Sequence, residues 1–136
     1  MTEKNSETKN THKTFFVTDI HGGYRALLQV FERSGFDKKK DLLICGGDVV
    51  DGWPETVETI DELLTIKNLI PIMGNHDFWC YNWMRYGWTP DIWVRQGGQA
   101  TLDSYKFKEL KERPEKEYFA LIIILDPFVK SSTFIS

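Results

Sequence analysis

Thr18-Asp19-Ile20-His21-Gly22, Gly46-Gly47-Asp48-Val49-Val50-Asp51-Gly52 and Gly74-Asn75-His76-Asp77 each follow a short apolar run, and the spacers between them are long enough for one helix each. Thr14 to Thr18, Asp41 to Cys45 and Leu69 to Met73 read as strands. Between them Tyr24, Leu27, Leu28 and Phe31 recur at helical spacing up to Gly35. Val57, Ile60, Leu63 and Leu64 repeat the pattern to about Ile66, with Pro54 placed for a first helical turn. Pro71 assigns the third strand to an edge or an irregularity, because proline cannot donate to a ladder. The alternation predicts an α/β fold with a βαβαβ start, parallel strands, right-handed crossovers and helices on the faces of the sheet. Loops at the strands' C-terminal ends then share one edge, where open sheets bind ligands, and all three motifs lie there.

The residue types at that edge suit a metal-assisted hydrolase. In an extended chain alternate side chains share a face, so Asp19 and His21 can point at one cation just past the strand end, and Asp48 can reach it from the neighbouring strand. A carboxylate has two oxygens and can bridge two cations, while Asn75 offers a neutral carbonyl oxygen to the second. Nitrogen and oxygen ligands without a thiolate suit manganese, iron or zinc. His76, beside a candidate ligand, has the side chain most often used to protonate a leaving oxygen. Asp51 has two readings, as the residue that holds the His76 ring or as a helix N-terminal residue ahead of Gly52-Trp53-Pro54.

Asp-x-His, Gly-Asp and Gly-Asn-His-Asp, in this order and each after a strand, resemble the calcineurin-like metallophosphoesterases. The Asp48-Val49-Val50-Asp51 spacing resembles the phosphoprotein (serine/threonine) phosphatase branch in its bacterial and phage form, as do Trp93, Gly97-Gly98 and Thr101 to Tyr105. The resemblance covers about residues 14 to 119. It implies two divalent metal ions, with Asp19 and His21 on the first, Asp48 bridging and Asn75 on the second. It further implies His76 as general acid and Asp51 as its orienting partner. The implied reaction is attack of a metal-bound hydroxide on a phosphoserine or phosphothreonine side chain, or on a dinucleoside polyphosphate.

The chain departs from that pattern in two places. Where the phosphatase branch has a phosphate-binding Arg after the second Asp of the middle motif, this sequence has Gly52 and then Trp53, so a bidentate clamp is missing. Arg85 and Arg95 are candidates to replace it. The branch also supplies later His ligands, whereas the histidines here are His12, His21 and His76. The resemblance therefore implies a partial sheet, with the second half of the usual β-sandwich missing and the chain truncated or shifted in frame near residue 119. A short variant with its own last strand is the alternative. A non-catalytic remnant and a module that binds a phosphorylated partner are the functional alternatives.

Composition bounds the rest. With 136 residues, 41% of them apolar, one domain is expected: residues 1–13 a flexible polar tail, 14–119 the phosphoesterase-like part and 120–136 a tail of uncertain structure. A net charge of -3 without a basic stripe makes nucleic acid an unsuited partner. Tyr118 to Leu125 is far short of the roughly 20 apolar residues of a spanning helix, so no membrane is expected and a cytoplasmic location follows. Cys45 and Cys80 form no metal-ligand doublet, and Cys45 in an apolar strand reads as a buried thiol. Asp77 to Tyr86 and Asp91 to about Tyr105 read as helical. Trp79, Tyr81, Trp83, Tyr86, Trp88 and Trp93 are expected to pack a small helical cap onto the core, with stacking on a nucleobase as the alternative. Lys106 to Glu117 is a charged stretch broken at Pro114, and Leu121 to Leu125 has the composition of a buried strand.

Overall fold

A computed structural model describes residues 11–107. The expectations for residues 1–10 and for those beyond 107, including the Leu121 to Leu125 run, lie outside the described residues. Three parallel strands, β1 (Thr14–Val17), β2 (Leu42–Cys45) and β3 (Asn68–Pro71), pair in the order β1-β2-β3. α1 (Tyr24–Ser34) and α2 (Thr56–Leu64) form the two crossovers. A parallel pair cannot be closed by a tight turn, so each helix-length spacer becomes a crossover. The register sets Val17, Cys45 and Pro71 side by side, which brings the three strands to an end along one line. Pro71 is the last residue of β3, an edge strand among the described residues.

The core lies between one sheet face and the two helices. Leu43 and Cys45 are buried there with Leu27 and Phe31 of α1 and Val57, Ile60 and Leu63 of α2. α1 stops where Gly35 takes φ 73° and its N–H returns to the Phe31 and Glu32 carbonyls. Both apolar stripes are narrower than their periodicity predicts. Leu28 is 36% exposed and Leu64 41%, because each lies about 100° round the helix from the neighbour that faces the sheet. Pro54 is not in the first turn of α2 either, since Glu55 is the N-cap and the helix begins at Thr56. On the opposite sheet face Phe16 and Ile70, in register through Ile44, are exposed among the described residues.

α3 (Asn75–Tyr86) starts directly from the third motif. An arm follows: α4 (Asp91–Trp93), a kinked turn at Val94–Gly98 and α5 (Gln99–Phe107). Of the aromatic residues expected to pack this region, Trp93 and Tyr81 are buried, and Trp83 lies against the Trp93 and Tyr105 rings at 6.0 and 5.4 Å. Tyr86 and Trp88 are exposed instead, near the αL residue Gly87 that ends α3. No helix of the described residues is long and apolar enough to cross a membrane.

Candidate active site

Past the strand ends the three motif loops are laced together. Asp19 N–H donates to Gly47 O (3.0 Å), His21 N–H to Asp48 O (2.9 Å), Gly22 N–H to Val49 O (2.8 Å) and Trp53 N–H to His21 O (2.9 Å). The expected route for Asp19 and His21 is corrected here. β1 stops at Val17, and these two residues have φ of 54° and 50°, so alternation along an extended strand does not bring their side chains together. Asp48 and Asp51 are also left-handed, at 52° and 73°. Among the described residues these four are the non-glycine positions with positive φ. Asp and His tolerate that region better than most side chains, at a cost on the order of 1 kcal/mol each.

The turns bring one oxygen of Asp19, one oxygen of Asp48 and a ring nitrogen of His21 to within 4.8 Å of one another. His21 Nδ1 lies 3.0 Å from the Val50 carbonyl, which can only accept, so Nδ1 carries the hydrogen and Nε2 is left as the free donor atom. That Nε2 is 3.6 Å from an Asp19 oxygen. Two carboxylates and a neutral imidazole at this separation fit one divalent cation. Asn75 opens α3, exposed, with its neighbours lying against Asp48: His76 N–H donates to Asp48 Oδ1 (3.1 Å), and a Cβ on Gly74 would fall 2.1 Å from that oxygen. Only glycine permits that approach.

His76 comes to the same point from the other side. Its ring lies 5.0 Å from that of His21, edge to face, and its Nδ1 is 2.9 Å from Asp51 Oδ2. Asp51 is fully buried and also receives Trp93 Nε1–H (2.7 Å) and Thr101 Oγ1–H (2.6 Å). Glu55, not Asp51, caps α2, and the Asp51 carboxylate is taken up by the side chains of His76, Trp93 and Thr101.

Asp77 was not singled out by sequence. Buried at the start of α3, it accepts the N–H groups of Asp48 (2.8 Å), Val49 (2.9 Å), Val50 (3.4 Å) and Gly74 (3.0 Å). One carboxylate thus ties the middle motif to the third. Burial pushes its pKa up to about 6, against the opposing effect of those N–H groups and with a smaller push from Asp48. The two arginine candidates are placed differently. Arg85 lies over the Tyr81 and Tyr86 rings ten residues into α3, about 15 Å along the helix from Asn75, and Arg95 is exposed on the arm.

The family model for calcineurin-like phosphoesterases matches residues 12–126. The chain belongs to that family. Among curated relatives it is 40% identical over 65 residues to the symmetrical bis(5'-nucleosyl)-tetraphosphatase of Buchnera aphidicola, a match covering 47% of this chain and 24% of that one. It is 29% identical over 107 residues to the enzyme of the same name from Coxiella burnetii, covering 79% and 36%. The chain therefore spans well under half of the length of either relative. Among solved structures, a metallophosphoesterase from Sphaerobacter thermophilus shares the fold at a TM-score of 0.55 and 18% identity, covering 83% of this chain and 40% of that one.

Within this calcineurin-like phosphoesterase the Trp93 and Thr101 contacts to Asp51 also escaped sequence reading, because they span 42 and 50 residues. A signal was present for Asp77, since an acidic residue at the third position of a helix can reach back to the cap N–H. Asp19 has a second setting as well, on the wall of an open cleft of about 730 Å³ with Val17, Leu27, Trp53 and Pro54.

Proposed function

We propose that this chain carries the metal-binding edge of a phosphoesterase that hydrolyses dinucleoside polyphosphates in the cytoplasm, with manganese, iron or zinc as its divalent cations. The observation that carries the reading is one juxtaposition. The donor atoms of Asp19, His21 and Asp48 converge within 4.8 Å, and His76, backed by Asp51 at 2.9 Å, has its ring 5.0 Å from that of His21. The nucleotide class is supported by the names of the relatives, symmetrical bis(5'-nucleosyl)-tetraphosphatases. A phosphoserine or phosphothreonine substrate is the second reading, supported by the Asp48-Val49-Val50-Asp51 spacing and opposed by Gly52 at the place of the phosphate-binding Arg.

In this reading Asp19, His21 and Asp48 hold one cation, and Asp48 with Asn75 begins the site of a second. Bound divalent cations lower the pKa of water and neutralise phosphoryl charge. The protein's own residues do the remaining work. His21 is fixed by Val50 so that it presents Nε2, and Asp48 is fixed by the His76 N–H. His76, protonated on both nitrogens, gives its Nε2 proton to the leaving oxygen as the P–O bond breaks and keeps its Nδ1 proton on Asp51.

Two measurements test this. Asp48 alone is assigned to both cations, so Asp48→Asn is expected to lower manganese affinity by more than Asn75→Ala does. Calorimetric titration giving the reverse order removes the bridging role. A general acid matters most for a poor leaving group, and its loss is worth on the order of 10² to 10⁴ in rate. His76→Asn should therefore slow hydrolysis of a dinucleoside tetraphosphate or a phosphoserine peptide far more than that of an activated aryl phosphate. Equal losses would assign His76 to metal binding or folding instead.

A further inference from the structure

Asp51 is held by more than its histidine. Trp93 Nε1–H can only donate, and it points at Asp51 Oδ2 from 2.7 Å. Thr101 Oγ1 lies 2.6 Å from Asp51 Oδ1 and 3.0 Å from Asp51 N, so the hydroxyl accepts from the backbone and donates its one hydrogen to the carboxylate. Thr56 Oγ1, 3.2 Å from Thr101 Oγ1, is then the donor in that pair. With both carboxylate oxygens already accepting, Asp51 has acceptor capacity left for His76 and no hydrogen to give. His76 Nδ1 must carry the hydrogen, which leaves Nε2 as the nitrogen turned away from Asp51.

The backbone of the arm is shaped for this contact. At the kink between α4 and α5, Gln96 and Gly97 leave helical geometry, Gly97 with φ 115°. Gly97 O accepts from Gly52 N (3.1 Å), and a Cβ on Gly97 would fall 2.9 Å from that same nitrogen. Gly97 in the left-handed region breaks the helix between Trp93 and Thr101, a conformation that glycine adopts without strain. The break seats Trp93 and Thr101, one from each side of the turn, on the two oxygens of one buried carboxylate.

We propose that Trp93 and Thr101 are positioning residues for proton transfer: together they pin the Asp51 carboxylate so that His76 is held by Nδ1 and presents Nε2 to the leaving oxygen. The proposal rests on the phosphoesterase reading for its purpose, but the pinning has a readout of its own. In nitrogen-15 spectra of the chain, His76 should keep a slowly exchanging proton on Nδ1 both when Nε2 carries a proton and when it does not.

Trp93→Phe keeps the ring and removes the donor, and Thr101→Val removes the hydroxyl at nearly constant volume. Each should speed exchange of that proton by about tenfold, while Thr101→Ser keeps the wild-type rate. In hydrolysis, Trp93→Phe should slow the poor-leaving-group substrate by about tenfold and the activated aryl phosphate little, with manganese affinity unchanged. If folded Trp93→Phe leaves both exchange and leaving-group dependence at wild-type values, the proposal is overturned. Should Trp93→Phe fail to fold, the threonine pair decides, because equal exchange rates in Thr101→Ser and Thr101→Val overturn the pinning. Faster exchange in the variants of a wild-type protein that hydrolyses neither phosphoester would keep the pinning and remove the phosphoesterase reading.

Discussion

The two ends of the sheet use the same device with opposite electrostatic results. At the N-terminal end Asp41, buried just before β2, accepts the N–H groups of Lys13 and Asp37, each at 2.8 Å, and these hold its carboxyl below the ordinary value. At the C-terminal end Asp77 accepts four N–H groups, yet its pKa rises to about 6. More hydrogen bonds accompany the less stable charge. Desolvation outweighs them at Asp77, and Asp48 adds like charge, whereas near Asp41 the charges of Lys13 and His12 help. The backbone shows the same contrast, since the four positive-φ non-glycine residues found among the described residues all lie at the C-terminal end. One end of the sheet is relaxed and the other is held in a strained, charge-crowded geometry, as functional sites often are.

Removing Asp77 should break that contrast with the largest effect. Asp77→Ala leaves the N–H groups of Asp48, Val49, Val50 and Gly74 without their carboxylate, a loss of about 4 kcal/mol in urea unfolding. Manganese affinity should fall with it, because the loop that presents Asp48 is released. Stability or affinity within experimental error of wild type would mean that the strand-end loops hold themselves.

Gly74→Ala probes the same junction from the N-cap of α3. The new Cβ would meet Asp48 Oδ1 at 2.1 Å and Asp48 N at 2.5 Å, so the loop must shift at a cost of about 2 kcal/mol. Weaker manganese binding at unchanged helix content is the expected signature in titration and circular dichroism.

The smallest effect is expected at the relaxed end. Asp41 has its pKa lowered in the folded chain, so the native state binds that proton less tightly than the unfolded chain does, and its contribution is present above the ordinary value of 3.8 and lost as pH falls through the lowered one. Asp41→Asn should destabilise the protein at neutral pH, and the difference from wild type should vanish in strong acid. For Asp77 in metal-free protein the sign is reversed. Its raised pKa means the native state holds the proton more tightly, so the part of its contribution that comes from holding that proton is full below pH 3.8 and is lost as pH rises through about 6, while its hydrogen bonds to the four N–H groups remain. Denaturant midpoints measured against pH for wild type, Asp41→Asn and Asp77→Ala should show slopes of opposite sign for the two positions; equal signs would dissolve the comparison.

Much of this was legible before any coordinates. The strand and helix order followed from apolar periodicity, and parallel topology explains why the motif loops meet at one edge, where Asp19, His21 and Asp48 come within 4.8 Å of one another. The reason given for the Asp19 and His21 pair was still wrong, because periodicity cannot tell where a strand stops and the left-handed turns begin. Leu28 and Leu64 misled for a related reason: a stripe marks the apolar side of a helix, but how wide a side the sheet covers depends on how the helix sits on it.

By itself the sequence determined the local terms: which segments form strands and helices, where they reverse, and which Asp, His and Asn residues stand at the reversals. Those follow from propensity and period, which act over a few residues. Only the tertiary structure decided what surrounds each of these groups. Trp93 and Thr101 reach Asp51 across 42 and 50 residues, and Asp77 gathers N–H groups from a loop 27 to 29 residues earlier. Such contacts, and the desolvation that raises Asp77 while Asp41 is lowered, exist only once the chain has closed on itself. They depend on burial and direction, which have no period in the sequence.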